Sequence, residues 1–422
     1  MNRFAYRNGH LWCEEVPVSR IVQKLGTPLY LYSYETIVNH YREIRRAFAP
    51  LNALVCFALK SNSNLAVCRA LARAGSGFDI VSGGELLRAL QAGANPRKIV
   101  YASVGKTSRE IEQAVRAGIL FFNVESAQEL AAIEAVCRRL KRRQRVALRF
   151  NPDVDPHTHS FITTGHKASK FGMDRPTVEN LLRRHREFPH LRMEGLHLHI
   201  GSQILEASPF RAAITKALHL IRRAQRHGAP LNTLNIGGGL GILYDRESPQ
   251  TAAGYARAIL PLLKRSRLKV ILEPGRFIVG NSGVLLTQVL YLKESHAHRF
   301  AIMDAGMNDL IRPSLYGAYH RIIPIQERTF NGARKIRYDV VGPVCESGDF
   351  LAKNRLLAPL QAGDTLAVMG AGAYGFVMAS NYNSRPRPAE VMVRGRRWYL
   401  VRRRETVQEL IRGERIPAFL RS

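Results

Sequence analysis

Residues 54–60 read Leu54-Val55-Cys56-Phe57-Ala58-Leu59-Lys60, an apolar run that ends in a lysine. A run with no polar member until its tip suits a strand buried on both faces, as in a parallel sheet covered by helices. Runs of the same kind follow: GFDIVS at 77–82, KIVYAS at 98–103, LFFNVES at 120–126 and RVALRFN at 145–151. MEGLHLHIG at 193–201, TLNIGGG at 233–239 and KVILEPG at 269–275 complete the series. The first five start 21 to 25 residues apart, room for one strand, one helix and two loops. Later gaps are longer, with the largest insertion around 153–170. Helical periodicity fills the intervals, as in Leu86, Leu87 and Leu90, or Ile111, Val115 and Ile119.

Eight strand–helix units predict an α/β fold, a (β/α)8 TIM-type barrel, with a doubly wound open sheet as the competitor. The placement of polar residues favours the barrel. Lys60, Asp79 with Ser82, Ser103, Glu125 with Ser126, Asn151, His199 with Ser202, the glycines 237–239, and Glu273 with Arg276 all fall at C-terminal strand ends. That end of such a barrel is its catalytic face.

Beyond about 282 the rhythm changes to alternating segments without long helices: 287–293, 299–303, 335–341, 365–369, 390–393 and 397–401. These predict a mainly antiparallel β-barrel or sandwich domain. The expected organisation is 1–33 as strands joining the β domain, 34–282 as the barrel, and 283–422 as the β domain.

Composition narrows the class. Apolar residues make up 46% and charged residues 23%, ordinary for a globular protein. The best apolar run, 284–292, is broken by Thr287 and Gln288 and falls short of the roughly 18 residues of a membrane span. Residues 1–6 lack the apolar stretch of a signal peptide. Cys13, Cys56, Cys68, Cys137 and Cys345 are odd in number and scattered, which argues against disulfides or a zinc site and for the cytoplasm. The formal charge of +30, from 63 basic and 33 acidic residues, is the outlier. Basic residues occur in short clusters such as Arg402-Arg403-Arg404, without a recognition motif, so only nonspecific nucleic-acid adhesion follows.

Several residues at the expected mouth carry chemistry. Desolvation at a strand tip would lower the ammonium pKa of Lys60 and free its amine for imine formation. Taken alone, it reads more readily as a strand-end lysine reaching for water. Gly237, Gly238 and Gly239 let backbone N–H groups close on a phosphate, or simply form a turn. In Glu273-Pro274-Gly275-Arg276, the carboxylate suits a heteroaromatic nitrogen, whereas Gly275 N–H and Arg276 suit an anion. His197 and His199 share one face by period two. Carboxylates at ligand spacing are lacking beside them, so a ring-stacking His199 followed by a phosphate-binding Ser202 fits better than a metal. In the β domain, Arg312 and Tyr316 form a donor pair for a carboxylate. Cys345 stands beside Glu346 and Asp349 as a candidate proton donor.

With these residues in view, the chain resembles the fold-type III pyridoxal-phosphate-dependent decarboxylases, most closely the branch acting on meso-diaminopimelate. The stretches that carry the likeness are FALKSN (57–62), GFDIVSGGEL (77–86), NPDVDPHTH (151–159), SKFG (169–172) and GLHLHIGSQI (195–204). NIGGGLG (235–241), EPGR (273–276), DAGMNDLIRPSLYGAYH (304–320), CESGDF (345–350) and GAYG (372–375) follow in the family's order. Ser61 departs from it, standing where many relatives carry alanine.

The resemblance implies pyridoxal 5'-phosphate bound covalently by Lys60, with His199 stacked on its ring and Glu273 on the ring nitrogen. It implies Ser202, the glycines 237–239 (Gly238 and Gly239 among them), Gly275, Arg276 and Tyr374 around the phosphate. Substrate contacts are implied for Arg276, Arg312, Tyr316, Glu346 and Tyr374, and catalysis for Cys345 in the partner's site of a homodimer. The implied reaction yields L-lysine and CO2. Sister enzymes acting on ornithine, arginine, carboxynorspermidine or a specialised amino acid remain open, as does a non-catalytic regulator. Intact Lys60, Glu273 and Cys345 speak against the last.

Overall fold

The computed structural model describes residues 2–155, 169–296, 298–327 and 335–421. Residues 156–159 of NPDVDPHTH, and most of the insertion expected around 153–170, lie outside the described residues. Two compact units divide the chain: Thr36–Asn281, and Met1–Glu35 with Ser282–Ser422.

In the first unit all eight expected runs form strands: Leu54–Ala58, Gly77–Ile80, Ile99–Tyr101, Phe121–Val124, Gln144–Arg149, Leu191–His197, Thr233–Asn235 and Lys269–Leu272. Each pairs in parallel with its neighbours, and the last closes on the first through Ile271–Leu54 and Leu272–Val55. The result is the TIM-type barrel rather than an open sheet. Cys56, Val100, Phe121, Ala147 and Ile271, from five of these strands, meet in one buried cluster inside it. The cluster plugs the barrel, so chemistry is confined to the strand tips.

Side-chain caps start the helices at those tips. Ser82 accepts from Glu85 N to begin Gly83–Gln91, and Ser126 accepts from Glu129 N to begin Ala127–Arg139. Thr107 and Glu110 form a reciprocal capping box at the start of Ser108–Ala117. The polar residues at the tips are therefore of two kinds. Ser82 and Ser126 satisfy helix ends, a structural duty, whereas others serve the site described below.

The second unit holds a nine-stranded, mainly antiparallel sheet. Its organiser is Gly283–Ser295, which pairs antiparallel with Leu29–Ser33, His298–Met303 and Thr365–Val368. Two pairs depart from the antiparallel pattern: His298–Met303 runs parallel to Ile336–Val341, and Leu29–Ser33 runs parallel to Ala389–Arg394. Phe4–Arg7, His10–Cys13 and Val16–Pro17 make a separate three-stranded sheet. Their apolar faces share a core with Leu29, Leu31, Val284, Leu286 and Val391. Two strands, Ile322–Pro324 and Phe350–Leu357, stand outside the sequence expectation.

Candidate active site

Lys60 leaves the first barrel strand in the tight turn Leu59–Ser61. Its ammonium donates to Asp79 Oδ2, from the tip of the next strand, with Lys60 about one-third exposed and Asp79 fully buried. Burial and the charge of Glu273 push the Asp79 carboxyl up, and Lys60 opposes them. Asp79 thus gives the lysine a counterion within reach of the mouth.

Glu273, at the end of the last strand, is 4% exposed. Asn123 Nδ2 and Asn235 Nδ2 donate to its Oε1 at 2.9 and 2.5 Å, and His197 Nε2 lies 3.1 Å from Oε2. Burial works to raise this carboxyl, but its contacts with His197 first, then Lys60 and the Asn235 amide, win and hold it below the usual range. Glu273 is therefore an anion inside the barrel. Beside it, Asp79 Oδ1 and Asn123 Oδ1 are buried acceptors with no hydrogen-bond partner among the described residues.

The glycine loop after Asn235 is shaped by contact. A Cβ on Gly238 would stand 2.2 Å from the carbonyl oxygen of Glu273, and Gly239 has φ +110. No other residue fits both positions. Gly238 N–H donates to His199 Nδ1 at 3.3 Å, which leaves the ring proton on Nε2. Burial, then the cations of Arg149 and Lys60, hold His199 well below its ordinary pKa, so its ring is neutral. Across the same rim Arg276 donates from Nε and Nη2 to Ser202 Oγ at 3.2 and 3.0 Å, and from Nη1 to Tyr244 OH at 2.8 Å. Gly275 precedes it, and a Cβ there would stand 3.0 Å from the Ser61 side chain.

Lys60, His199, Ser202, Gly238, Gly239, Glu273, Gly275 and Arg276 thus all stand on the loops and tips of one barrel. Sequence reasoning left out Asn123, Asn235 and Tyr244, and gave His197, Asp79 and Arg149 no role. Their only signal was the alternation of inward positions along each strand. A lattice of charge lies behind the rim. Arg149 pairs with Glu125 at 2.6 Å, and Lys106 pairs with Glu129 at 2.6 Å, all four side chains nearly fully buried.

The remaining candidates belong to the β unit. Arg312 opens the short helix Arg312–Tyr316 and is 5% exposed. Its Nη1 donates to His320 Nε2 at 3.1 Å, while His320 Nδ1 donates to Met369 O at 2.8 Å. Tyr316 ends the same helix, half-buried. Asp349 accepts from Met307 N and Val344 N, each at 2.6 Å, and so ties the CESGD turn to the DAGMN segment. On that turn Cys345 and Glu346 are exposed, with Asn383 Oδ1 accepting from Cys345 N at 2.7 Å. Tyr374 sits at φ +55, a conformation a bulky side chain keeps only under constraint. The next residue supplies part of that constraint, because a Cβ on Gly375 would lie 2.4 Å from Ala371 O.

Comparison with known proteins adds to this geometry. A family model described as "Pyridoxal-dependent decarboxylase, pyridoxal binding domain" matches residues 34–280. A diaminopimelate decarboxylase of Pseudomonas aeruginosa is 50% identical, over 98% of this chain and 99% of that protein. One from Aquifex aeolicus is 46% identical over 96% of each. The crystal structure of diaminopimelate decarboxylase from Helicobacter pylori complexed with L-lysine superposes with a TM-score of 0.91. It is 41% identical and covers 94% of this chain and 99% of that one.

Proposed function

Because the chain belongs to the pyridoxal-dependent decarboxylase family, we propose that it decarboxylates meso-2,6-diaminopimelate to L-lysine and CO2, the last step of lysine biosynthesis, with pyridoxal 5'-phosphate as cofactor. The observation that carries the reading is the anionic Glu273, held by Asn123, Asn235 and His197 in a barrel whose rim also bears Lys60. The relatives named for diaminopimelate, and the L-lysine in the Helicobacter pylori structure, support the choice of substrate and product.

The residues fit the cofactor. Lys60 would hold it through Nζ, and Asp79 offers a place for the lysine's ammonium when that attachment is released. Gly238, whose close approach to Glu273 forbids a Cβ, would present bare backbone to the phosphate along with Gly239 and Gly275. Ser202 and Arg276, already joined, would add a hydroxyl and a guanidinium, and Tyr374 a phenol. The neutral His199 would lie on the ring face without competing for its charge. When bound, the group supplies a ring that takes up the electron pair left as the C–COO⁻ bond breaks. Glu273, held as an anion, would face the ring nitrogen and favour a proton there.

The far end of diaminopimelate carries a second carboxylate and ammonium. Arg312 and Tyr316 suit the first, Glu346 suits the second, and Arg276 and Tyr374 suit the end nearer the phosphate. The exposed Cys345 would return a proton from Sγ to the carbon that lost its carboxylate, in the partner's site of a cytoplasmic homodimer. Among the described residues no helix is long and apolar enough to cross a membrane.

Purified protein should carry the visible colour of lysine-bound cofactor and release CO2 and L-lysine from meso-diaminopimelate. Survival of that colour in Lys60→Ala sinks the cofactor assignment. Turnover of ornithine or arginine in place of diaminopimelate moves the chain to a sister activity.

A further inference from the structure

The first histidine of His197-Leu198-His199 has no part in the scheme above beyond its contact with Glu273. It ends the strand Leu191–His197, and its ring is 1% exposed. Nε2 lies 3.1 Å from Glu273 Oε2, whereas the two amides of Asn123 and Asn235 both serve Oε1. Nδ1 is buried and has no hydrogen-bond partner among the described residues. A proton on Nδ1 would be a buried donor with nothing to meet, so the ring carries its proton on Nε2, facing the carboxylate.

We propose that His197 is a positioning residue: by donating from Nε2 to Oε2 it holds Glu273 as an anion, and thereby keeps the proton of the cofactor's ring nitrogen on nitrogen. The inference rests on the reading of Glu273 given above. One proton between a carboxylate and a ring nitrogen sits on the more basic of the two. Each donor to the carboxylate stabilises the anion and makes it less basic, which moves the proton toward nitrogen. Carboxylate oxygens have lone pairs to spare, so Oε2 can accept from His197 and still face a second donor. A histidine that only filled the barrel would lack this directed contact, and an apolar residue of like size would replace it without consequence.

The test uses holoenzyme reconstituted with cofactor labelled with 15N in the ring, read by NMR in wild type, His197→Leu, His197→Gln and Glu273→Gln. The ring nitrogen should be protonated in wild type and unprotonated in Glu273→Gln. It should move part of the way in His197→Leu and return in His197→Gln, whose amide nitrogen reaches the place of Nε2. In His197→Leu, kcat should fall about tenfold with KM unchanged, the loss expected for one charge-assisted hydrogen bond. A wild-type signal in His197→Leu beside a shifted one in Glu273→Gln overturns the role of His197 and leaves that of Glu273 standing. A wild-type signal in Glu273→Gln removes the reading of Glu273, and the role of His197 with it. Should His197→Leu fail to fold, His197→Met makes the same comparison.

Discussion

Replacing Glu125 by alanine should destabilise the barrel far more than replacing an exposed acid. Glu125 and Arg149 are 2% and 6% exposed at the side chain, with Oε1 2.6 Å from Nη1. Oε2 of Glu125 accepts from Gly172 N at 2.8 Å, and the Arg149 guanidinium lies 4.8 Å from the Phe171 ring centre. The substitution leaves a guanidinium buried without its counterion, which costs about 3–5 kcal/mol. It also leaves the Gly172 N–H without its acceptor, about 1 kcal/mol more. In a unit of this size each kcal/mol moves Tm by about 2–4 °C, so a fall of roughly 8–24 °C is expected. The control is Glu187→Ala, which breaks the pair with Arg184 where both side chains are about half exposed and water screens the attraction, so little change is expected. Thermal unfolding of both holoenzymes by circular dichroism makes the comparison. The double variant Glu125→Leu/Arg149→Met, which removes both charges and refills the space, should recover much of the loss. A Glu125→Ala transition within 2–3 °C of the Glu187→Ala transition would refute the reasoning.

Gly238→Ala should weaken cofactor binding at least tenfold, measured by titration of apoenzyme, because its Cβ would lie 2.2 Å from a backbone oxygen of Glu273; wild-type affinity would show that the loop yields. Asp309, 1% exposed, has its carboxyl raised by burial from 3.8 to about 7. The folded chain therefore keeps a proton that the unfolded chain gives up, so stability is greatest below the ordinary value and declines as pH rises from about 4 to 7, by at most ~4 kcal/mol. Urea midpoints at pH 5 and 8 should differ less in Asp309→Asn than in wild type; an equal difference contradicts the assignment. Of the five cysteines, Cys345 is exposed and the other four are buried, with Cys13 and Cys56 raised well above the ordinary thiol value by burial. Alkylation should label Cys345 first, abolish turnover and be slowed by diaminopimelate; full labelling with activity intact removes Cys345 from the chemistry. With +30 overall, the protein should hold duplex DNA at 50 mM salt and release it near 200 mM, and retention at 200 mM would point to a specific partner.

The barrel was legible because its strands are buried on both faces and so read as unbroken apolar runs. Lys60 and Glu273 were legible for a related reason, since a charge at the end of such a run has little structural excuse. Partnership was not legible. Asn123 and Glu273 are 150 residues apart, and they meet only because closure of the barrel sets the stagger of opposite strands. His197 looked like half of a histidine pair, yet His199 meets Gly238 N while His197 meets Glu273. In the β unit, Phe350–Leu357 was hidden by Lys353-Asn354-Arg355, which breaks the alternation. Asn354 there takes φ +51, and the pairing with Ile336–Val341 slips beside it. Ile322–Pro324 is too short to show a period.

Three of the cations around the barrel mouth have a carboxylate of their own, and Glu273 is held differently. Lys60 is paired with Asp79, Arg149 with Glu125, and Lys106 with Glu129. Each of these cations thus lies against a carboxylate of its own. Glu273 has no direct ion pair with a lysine or arginine among the described residues; two amides and one imidazole hold it. Dipolar donors stabilise an anion without cancelling its charge, whereas a guanidinium in the same place would stabilise it and consume it. A carboxylate meant only to hold the fold together would be better served by a cation, as Glu125 is. One left without a lysine or arginine inside the barrel suits a cation brought from outside, as the ring nitrogen of the proposed cofactor would be. The pairing of its neighbours therefore matters to the proposed site: with Asp79, Glu125 and Glu129 each taken by a cation, Glu273 is the buried anion left for the ring nitrogen.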